Sequence, residues 1–274
     1  MKKVIGAISA MVLGVQVLEV SAMNMVHSYG RMSLLTAAMN GDQSIVEFLI
    51  SKGANIEDTD SYGYTPLLTA AMKGHQSIVE YLMSKGANIE AKDKSGYTPL
   101  LTAAMKGHWS IMEFLISKGA NIEAKDNHGY TPLLTASMKG PLPIVEYFIS
   151  KGANIEAKDE AGYTPLILAS MNGCPTIVEF LISKGANIEA KSSIEYTSLL
   201  KASLNGHLPI VEFLISKGAN IEAKNDDGYT PLIRAAMYRR LPIVEYLINN
   251  GADIEAINSY GENDRRTSEK NPKR

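Results

Sequence analysis

The sequence contains a single cysteine, Cys174, so no disulfide can form within the chain. Cysteine content therefore gives no support for an oxidising compartment. The net charge is only −2, which provides no electrostatic reason to expect a nucleic-acid partner. The sequence also lacks a phosphate-binding loop, a dinucleotide-binding glycine pattern and a zinc-protease motif. We therefore expect no enzyme, with no catalytic residue, cofactor or metal ion.

Long apolar runs are scarce as well. Two lysines precede an apolar segment at residues 4–18, which is shorter than the roughly 20 residues that a membrane-spanning helix needs. The small residues that follow complete the pattern of a secretory signal peptide over residues 1–22, which predicts a secreted or extracytoplasmic protein. The alternative is an N-terminal capping helix in a cytoplasmic protein, because Gln16 and Glu19 fit a decayed repeat. N-terminal sequencing of the native protein distinguishes these alternatives.

The dominant feature of the sequence is a period of 33 residues. Seven repeats, numbered 1 to 7, open at Gly30, Gly63, Gly96, Gly129, Gly162, Glu195 and Gly228. A fixed period of this length is typical of a solenoid, in which repeats bury their apolar faces against their neighbours. The repeat array is predicted over residues 23–260. Residues 261–274 contain no aliphatic side chain, and we expect them to form a disordered tail.

Repeat 3 shows the structure that each repeat is expected to form. Thr98 followed by Pro99 predicts a helix N-terminus, because a threonine can cap free backbone N–H groups and proline fits the first turn. Gly107 ends this short helix. A second helix is predicted from about Ser110 to the stop at Gly119. A polar loop then leads to the next repeat, so the predicted order is helix, turn, helix, loop.

These residues carry a resemblance to a known family. The pattern D-x-x-G-Y-T-P-L-L-x-A-A-x-x-G-H, followed by I-V-E-F-L-I-S-K-G-A-N-I-E-A, closely resembles the ankyrin repeat over residues 30–260. The resemblance implies an all-α solenoid of stacked helix-turn-helix units with projecting hairpin loops. It also implies a non-catalytic module that binds a protein partner on the concave face formed by loop tips and first helices. We expect a monomer; the alternative function is an intracellular scaffold or a regulatory subunit of an enzyme.

Two departures from the family pattern predict local differences. The histidine that the family usually has after Thr-Pro-Leu is replaced by an aliphatic residue at Leu35, Leu68, Leu101, Leu134, Ile167, Leu200 and Ile233. We expect apolar packing at this position. In repeat 6, Glu195 and Ser198 replace the turn glycine and the helix proline. Because a glutamate at positive φ is strained by about 1 kcal/mol, we expect this loop to rearrange and the weakest seam to lie near residues 192–198.

Histidines and charged residues recur with the same period. His75, His108 and His207 share one position in different repeats, about 10 Å apart in adjacent layers, which is too far for a shared zinc ion. Cys174 occupies this position in repeat 5, where we expect a structural role. The resemblance implies that the histidine stabilises the turn.

Balanced Glu and Lys residues, such as Glu90 with Lys92, are interpreted as solvated surface. The polar repeat 7, which carries Arg234, is interpreted as a C-terminal cap with a wet outer face.

Two columns of side chains are candidates for a binding surface. The tyrosines are Tyr64, Tyr97, Tyr130, Tyr163, Tyr196 and Tyr229, and the methionines are Met39, Met72, Met105, Met138, Met171 and Met237. Each tyrosine either packs on the next loop or belongs to an aromatic contact surface. Each methionine either belongs to the core or, as the resemblance implies, faces the groove. The predicted partner-binding residues are Tyr97, Tyr130, Met105, Met138, Lys106, His128 and Leu168.

Overall fold

The structure, a computed structural model, describes residues 33–261, in which 14 α-helices and no strand occur. The described residues form two compact units, one that ends at Asn88 and one that begins at Ile89. The predicted leader lies outside the described residues, and so does the predicted tail apart from Gly261. Within residues 33–261, every helix is too short or too polar to span a membrane.

The helices come in pairs, one pair for each repeat, with a first and a second helix. The N-terminal unit contains α1 (Leu34–Asn40), α2 (Gln43–Ser51), α3 (Pro66–Lys73) and α4 (Gln76–Ser84). The C-terminal unit contains α5 (Pro99–Lys106), α6 (Trp109–Ser117), α7 (Pro132–Lys139), α8 (Leu142–Ser150), α9 (Pro165–Asn172), α10 (Pro175–Ser183), α11 (Ser198–Asn205), α12 (Leu208–Ser216), α13 (Pro231–Met237) and α14 (Leu241–Asn249). The expected all-α fold of stacked helix-turn-helix repeats is confirmed.

The first helices begin as the sequence predicts. Thr98 has an extended backbone, and its side-chain oxygen accepts a hydrogen bond from the N–H of Leu101. Pro99 occupies the first turn, where its missing N–H would have no partner within the helix. The second helix of this repeat begins at Trp109, one residue before the predicted start. The cap fixes where α5 starts, and with it the direction in which its side chains point.

Apolar packing holds the first helices together within each compact unit. In the C-terminal unit, α7 packs against α5 and α9, and α11 packs against α9 and α13. The aliphatic residue that replaces the family's histidine is buried in repeats 2 to 7 and half-buried in repeat 1. Leu101 and Leu134 have no exposed surface. The expected apolar packing at this position is therefore confirmed.

The recurring Glu and Lys residues lie at the surface, as interpreted from the sequence, but they also hydrogen-bond from one repeat to the next. The Glu90 carboxylate accepts the backbone N–H of Asn121 at 2.7 Å. Lys92 donates to the carbonyl oxygen of Lys125 at 2.9 Å. The carboxylate bond recurs as Glu57–Asn88, Glu123–Asn154, Glu156–Asn187, Glu189–Asn220 and Glu222–Asp253. Each such bond contributes about 1 kcal/mol at most to the free energy of unfolding. The repeated bonds hold each loop in the same position relative to the loop before it.

The loop of repeat 6 does not rearrange, in contrast to our expectation. Glu195 adopts the left-handed conformation of the glycine it replaces, with φ of 60°, and its N–H donates to the carbonyl of Ser192 as in the other repeats. The difference appears at the next loop. Neighbouring loop tips are joined by backbone bonds elsewhere in the C-terminal unit, at Asn127–Ser95, Glu160–His128, Ser193–Ala161 and Ser259–Asp227. Among the described residues, no such bond joins Asp226 to Ile194. The missing bond supports a weak seam between repeats 6 and 7.

Replacing Glu195 by glycine is expected to raise the free energy of unfolding by about 1–2 kcal/mol, measured by urea denaturation. Glycine relieves the left-handed strain and permits the missing loop bond, while the exposed ion pair with Lys191 that is lost contributes little. Glu195→Asn is the control, because asparagine tolerates this backbone conformation but keeps a Cβ atom. Equal stabilisation by both variants would show that strain alone matters and that the neighbouring loop does not.

Candidate functional site

Six of the seven predicted partner-binding residues line one cavity of about 460 Å³ between repeats 3 and 4. They are Tyr97, Met105, Lys106, His128, Tyr130 and Met138. The remaining lining residues are Ala104, Gly107, Asp126, Thr135, Lys139, Gly140 and Pro141. The cavity is therefore built from two first helices, α5 and α7, and from the loop that precedes α7. This cavity is named the repeat 3–4 groove below.

Asp126 positions the loop side of the groove, although the sequence analysis did not select it as a site residue. Its carboxylate accepts the backbone N–H groups of His128 at 2.9 Å and Tyr130 at 2.8 Å. Burial and the nearby Asp126 carboxylate also raise the pKa of Tyr97. One buried carboxylate thus holds the backbone of His128 and Tyr130 and lies close to Tyr97. The signal in the sequence was the aspartate that stands three residues before the glycine in repeats 2 to 5.

Both proposed roles of the tyrosine column have a structural counterpart. Burial and the aspartate of the next loop, Asp126 for Tyr97 and Asp159 for Tyr130, raise the pKa of each tyrosine, so each ring packs beside that loop. Both rings are nevertheless half-buried and line the groove. One edge of each ring therefore packs against the next loop, and the other edge can contact a partner in the groove.

The methionine column is not part of the core in the described residues. Met105 is 44% exposed and Met138 is half-buried, and none of the six methionines in the column is classed as buried. Met105 and Met138 line the repeat 3–4 groove, as the family-based interpretation implies for this position. Two flexible thioethers thus provide adaptable apolar contacts on its floor.

Leu168 does not lie on this surface. Its side chain is 0% exposed and packs in a cluster with Leu134 and Ala157, against which Tyr130 and Met138 rest. Leu168 therefore supports two groove residues from beneath and cannot contact a partner directly. Repeats 1 to 4 have threonine at the equivalent position, and this variation along the first helices suggested a contact residue; the leucine of repeat 5 is instead buried in the core.

Side chains at the same helix position fill the corresponding space in repeats 6 and 7. Lys201 places its Nζ atom 4.1 Å from the ring centroid of Tyr196 and 4.8 Å from that of Tyr163. Arg234 lies over the rings of Tyr229, at 3.7 Å, and Tyr196, at 5.3 Å. Both cations are only 9% exposed. The interpretation of Arg234 as part of a wet outer face is therefore wrong, because it is inserted between tyrosines.

The repeat 3–4 groove remains open because its helix residue is short. Thr135 on α7 occupies the position that Lys201 and Arg234 occupy further along the chain, and it lines the cavity. A threonine reaches no further than its γ atoms, so Tyr97 and Tyr130 are not covered from this side. The groove thus depends on a small residue at a position where repeats 5 to 7 carry longer ones.

The rim of the groove is positively charged. Lys106 and Lys139 are exposed at the ends of α5 and α7, and neither forms an ion pair within residues 33–261. His128 is also exposed at the loop tip. Asp126 is the one acidic residue among those that line the groove, and its carboxylate already accepts two backbone N–H groups. An incoming anionic group therefore meets two free ammonium groups.

Side chains at the histidine position make the same contact between repeats several times. His75 donates to the carbonyl of Met39 at 3.2 Å, and His207 donates to that of Met171 at 3.1 Å. Cys174 makes the equivalent contact with the carbonyl of Met138, at 3.5 Å. No group of three or more potential metal ligands occurs in the part of the chain that the structure describes. These side chains therefore join one turn to the preceding first helix.

The alkaline limit of stability is expected to follow the tyrosines. Burial, together with Asp126, raises the pKa of Tyr97 above its ordinary value of 10.0, and burial with Asp159 raises that of Tyr130. Because the unfolded chain loses these protons first, this stability is fully present below pH 10 and is lost as pH rises through the folded-state pKa values. Tyrosinate absorbance and urea denaturation across this range measure the effect. Tyr97→Phe should reduce the pH dependence; an unchanged profile would contradict the assignment.

Comparison with known proteins agrees with the geometry. A family model described as ankyrin repeats (3 copies) matches residues 8–93, 90–159, 129–192 and 166–258. These overlapping matches span more than half of the 274 residues. A search among curated proteins gave no match.

Proposed function

Because the chain belongs to the ankyrin repeat family, whose repeats are in general protein–protein interaction modules, we propose that it binds a protein partner at the repeat 3–4 groove, without catalysis. The contact surface comprises the loop tip that carries His128 and the first helices α5 and α7. The single observation that carries this proposal is the convergence of six sequence-selected residues on one cavity.

The chemistry of the groove supports protein binding. Its floor is apolar, with Met105, Met138 and Ala104, and its edge carries tyrosine hydroxyls and lysine ammonium groups. Aromatic and methionine side chains beside a polar rim are typical of interaction surfaces. A cavity of about 460 Å³ also lies within the range that ligand sites occupy, roughly 300–1,000 Å³.

The rigidity of the groove favours binding. The backbone N–H groups of Tyr97 and Tyr130 donate to the carboxylates of Asp93 and Asp126, and Leu168 packs beneath Tyr130 and Met138. Since these side chains are already ordered, the loss of side-chain entropy when a partner binds is small. A specific complex would need about 800 Å² from each protein, so the partner must extend beyond the cavity onto neighbouring loop tips.

The proposal is tested with a groove variant that combines Met105→Ala, Lys106→Ala and Met138→Ala in the full chain. Proteins captured by the wild type from extracts of its source cells are identified by mass spectrometry, and the affinity of a captured partner is then measured. We expect the groove variant to weaken binding at least about tenfold, or about 1.4 kcal/mol, because it removes exposed apolar and charged contacts.

The matched control combines Lys118→Ala and Lys151→Ala, which change the same two repeats at the C-terminal ends of α6 and α8. There the lysines lie over Phe114 and Tyr147 and do not line the groove. Circular dichroism should show the same helicity for all three proteins. If the groove variant captures the partner as well as the wild type, the proposed binding face is wrong.

A further inference from the structure

We infer that the groove recognises an acidic, extended peptide segment of the partner: one apolar side chain enters the cavity, flanking carboxylates meet Lys106 and Lys139, and a peptide N–H bonds to the carbonyl of Met105. This inference rests on the proposed function and specifies the partner's chemistry. It starts from a hydrogen bond that is present at other junctions between repeats and missing at this one.

At other junctions, a side chain donates to the carbonyl of the residue 36 positions earlier. The pairs are His75–Met39 at 3.2 Å, Cys174–Met138 at 3.5 Å, His207–Met171 at 3.1 Å and Arg240–Leu204 at 3.2 Å. Three different kinds of side chain, an imidazole, a thiol and a guanidinium group, preserve this one contact. The carbonyl at the end of each first helix is therefore a position where a donor is needed.

Repeat 4 has Pro141 at the donor position. Proline has neither a side-chain donor nor a backbone N–H, so it cannot serve the carbonyl of Met105. Among residues 33–261, the hydrogen bonds of this kind end on other carbonyls, and none ends on the carbonyl oxygen of Met105. Met105 and Pro141 both line the groove. The groove thus contains a helix-end acceptor whose usual donor is missing.

Pro141 also changes the backbone around the groove. A proline disfavours helical and left-handed conformations in the preceding residue, and Gly140 is extended, with φ of −70° and ψ of 160°. The equivalent Gly173 and Gly206 are left-handed, with φ of 74° and 90°. The end of α7 therefore departs from the turn found in repeats 5 and 6, at the edge where the cavity opens.

The charge around the cavity selects an acidic occupant. Lys106 and Lys139 are exposed without an ion pair in the described residues, while Asp126 is engaged by groups of the protein itself. Carboxylates on both sides of an apolar side chain would complement the two ammonium groups and speed association. The net charge of −2 for the whole chain provides no wider positive field for a nucleic acid.

A peptide fits the combination of features better than a small anion does. It supplies an apolar side chain for the methionine floor, carboxylates for the rim and a backbone N–H for the Met105 carbonyl in one extended segment. Extended peptides commonly use backbone N–H groups for affinity and side-chain pockets for specificity. A free dicarboxylate would satisfy the lysines alone and leave the floor and the carbonyl without partners.

The experiment uses the full chain and a library of random peptides displayed on phage. We expect selection to enrich peptides with an apolar residue flanked by Asp or Glu. A synthetic copy of the strongest peptide should bind the Lys106→Glu/Lys139→Glu variant at least about tenfold more weakly than the wild type, and added salt should weaken wild-type binding. The control, Lys118→Glu/Lys151→Glu, reverses the same number of charges outside the groove and should bind normally.

A second variant, Pro141→His, tests the open carbonyl. The histidine can donate to Met105 as His207 does to Met171, and so should compete with the peptide N–H. We expect weaker peptide binding while circular dichroism and thermal melting show a folded chain. Unchanged peptide affinity in this folded variant would overturn the assigned backbone contact.

Other outcomes overturn the inference as a whole. These are enrichment of basic or neutral peptides, no enrichment at all, equal binding by the Lys106→Glu/Lys139→Glu variant, or displacement of the peptide by succinate alone or by a DNA oligonucleotide. The proposed function fails separately, when the groove variant with the two methionine substitutions still captures the protein partner. If the groove variant fails to capture the partner but the selected peptides are basic, the proposed function is retained and the inference of an acidic segment is rejected.

Discussion

Replacing Leu168 by alanine is expected to lower the free energy of unfolding by about 2–5 kcal/mol. Leu168 has no exposed surface, and its removal leaves a cavity beneath Tyr130 and Met138 next to Leu134. Because α9 packs against both α7 and α11, the loss affects both contacts that hold repeat 5 in the stack. Urea denaturation followed by circular dichroism measures the change.

Met105→Ala is the control for this substitution. It also truncates a large apolar side chain, but Met105 is 44% exposed and lies on the groove, so its loss should change stability by no more than about 0.5 kcal/mol. The two variants distinguish a buried residue that stabilises the fold from an exposed residue that contacts a partner. Leu168→Ala should destabilise the fold, and Met105→Ala should weaken partner binding. Similar stability losses in both variants would mean that the methionine belongs to the core.

Replacing Gly129 by alanine is expected to cost about 2–5 kcal/mol of unfolding free energy. The glycine has φ of +80°, where a side chain adds about 1–2 kcal/mol of strain. A Cβ atom there would lie 2.9 Å from the backbone nitrogen of Glu160 and 3.1 Å from the carbonyl carbon of Asp159. Backbone atoms cannot swing aside, so overpacking adds about 1–3 kcal/mol and should break the bond between Glu160 and His128.

Gly119→Ala provides the matched comparison. Gly119 has a similar φ of +88°, but a Cβ atom added there meets nothing within 4 Å. This substitution should show the conformational strain alone, about 1–2 kcal/mol. The difference between the two unfolding free energies, measured by urea denaturation, gives the contribution of close contact between neighbouring loops. Equal losses would show that loop packing contributes nothing to the stack.

Much of the fold could be predicted because the relevant chemistry is local and is repeated seven times. The Thr98–Pro99 start of α5 follows from capping and from proline geometry within a few residues. The aliphatic residue after Thr-Pro-Leu predicted apolar packing, and Leu101 and Leu134 are fully buried. Residues 33 positions apart do occupy equivalent places, which is why the selected groove residues converge.

The errors arose where one residue acts on the next repeat. Glu195 keeps the turn that its own repeat requires, and its effect appears at Asp226, where a bond between loops is missing. Glu90 was interpreted as solvated surface, and the structure adds a contact with the next repeat: its carboxylate accepts the N–H of Asn121. Local propensity cannot reveal such contacts, since they depend on how closely two loops approach.

The sequence by itself determined the repeat, the helix boundaries, the ankyrin family and the residues that recur in columns. Only the tertiary structure decided the depth of each position: that Leu168 lies beneath the groove, that Arg234 is inserted between tyrosines, and that the space beside Thr135 is open. The physical reason is that periodicity and capping are set by neighbours along the chain. The neighbouring repeat decides whether a side chain fills a space. It also decides whether a carbonyl has a hydrogen-bond donor, which Pro141 cannot provide.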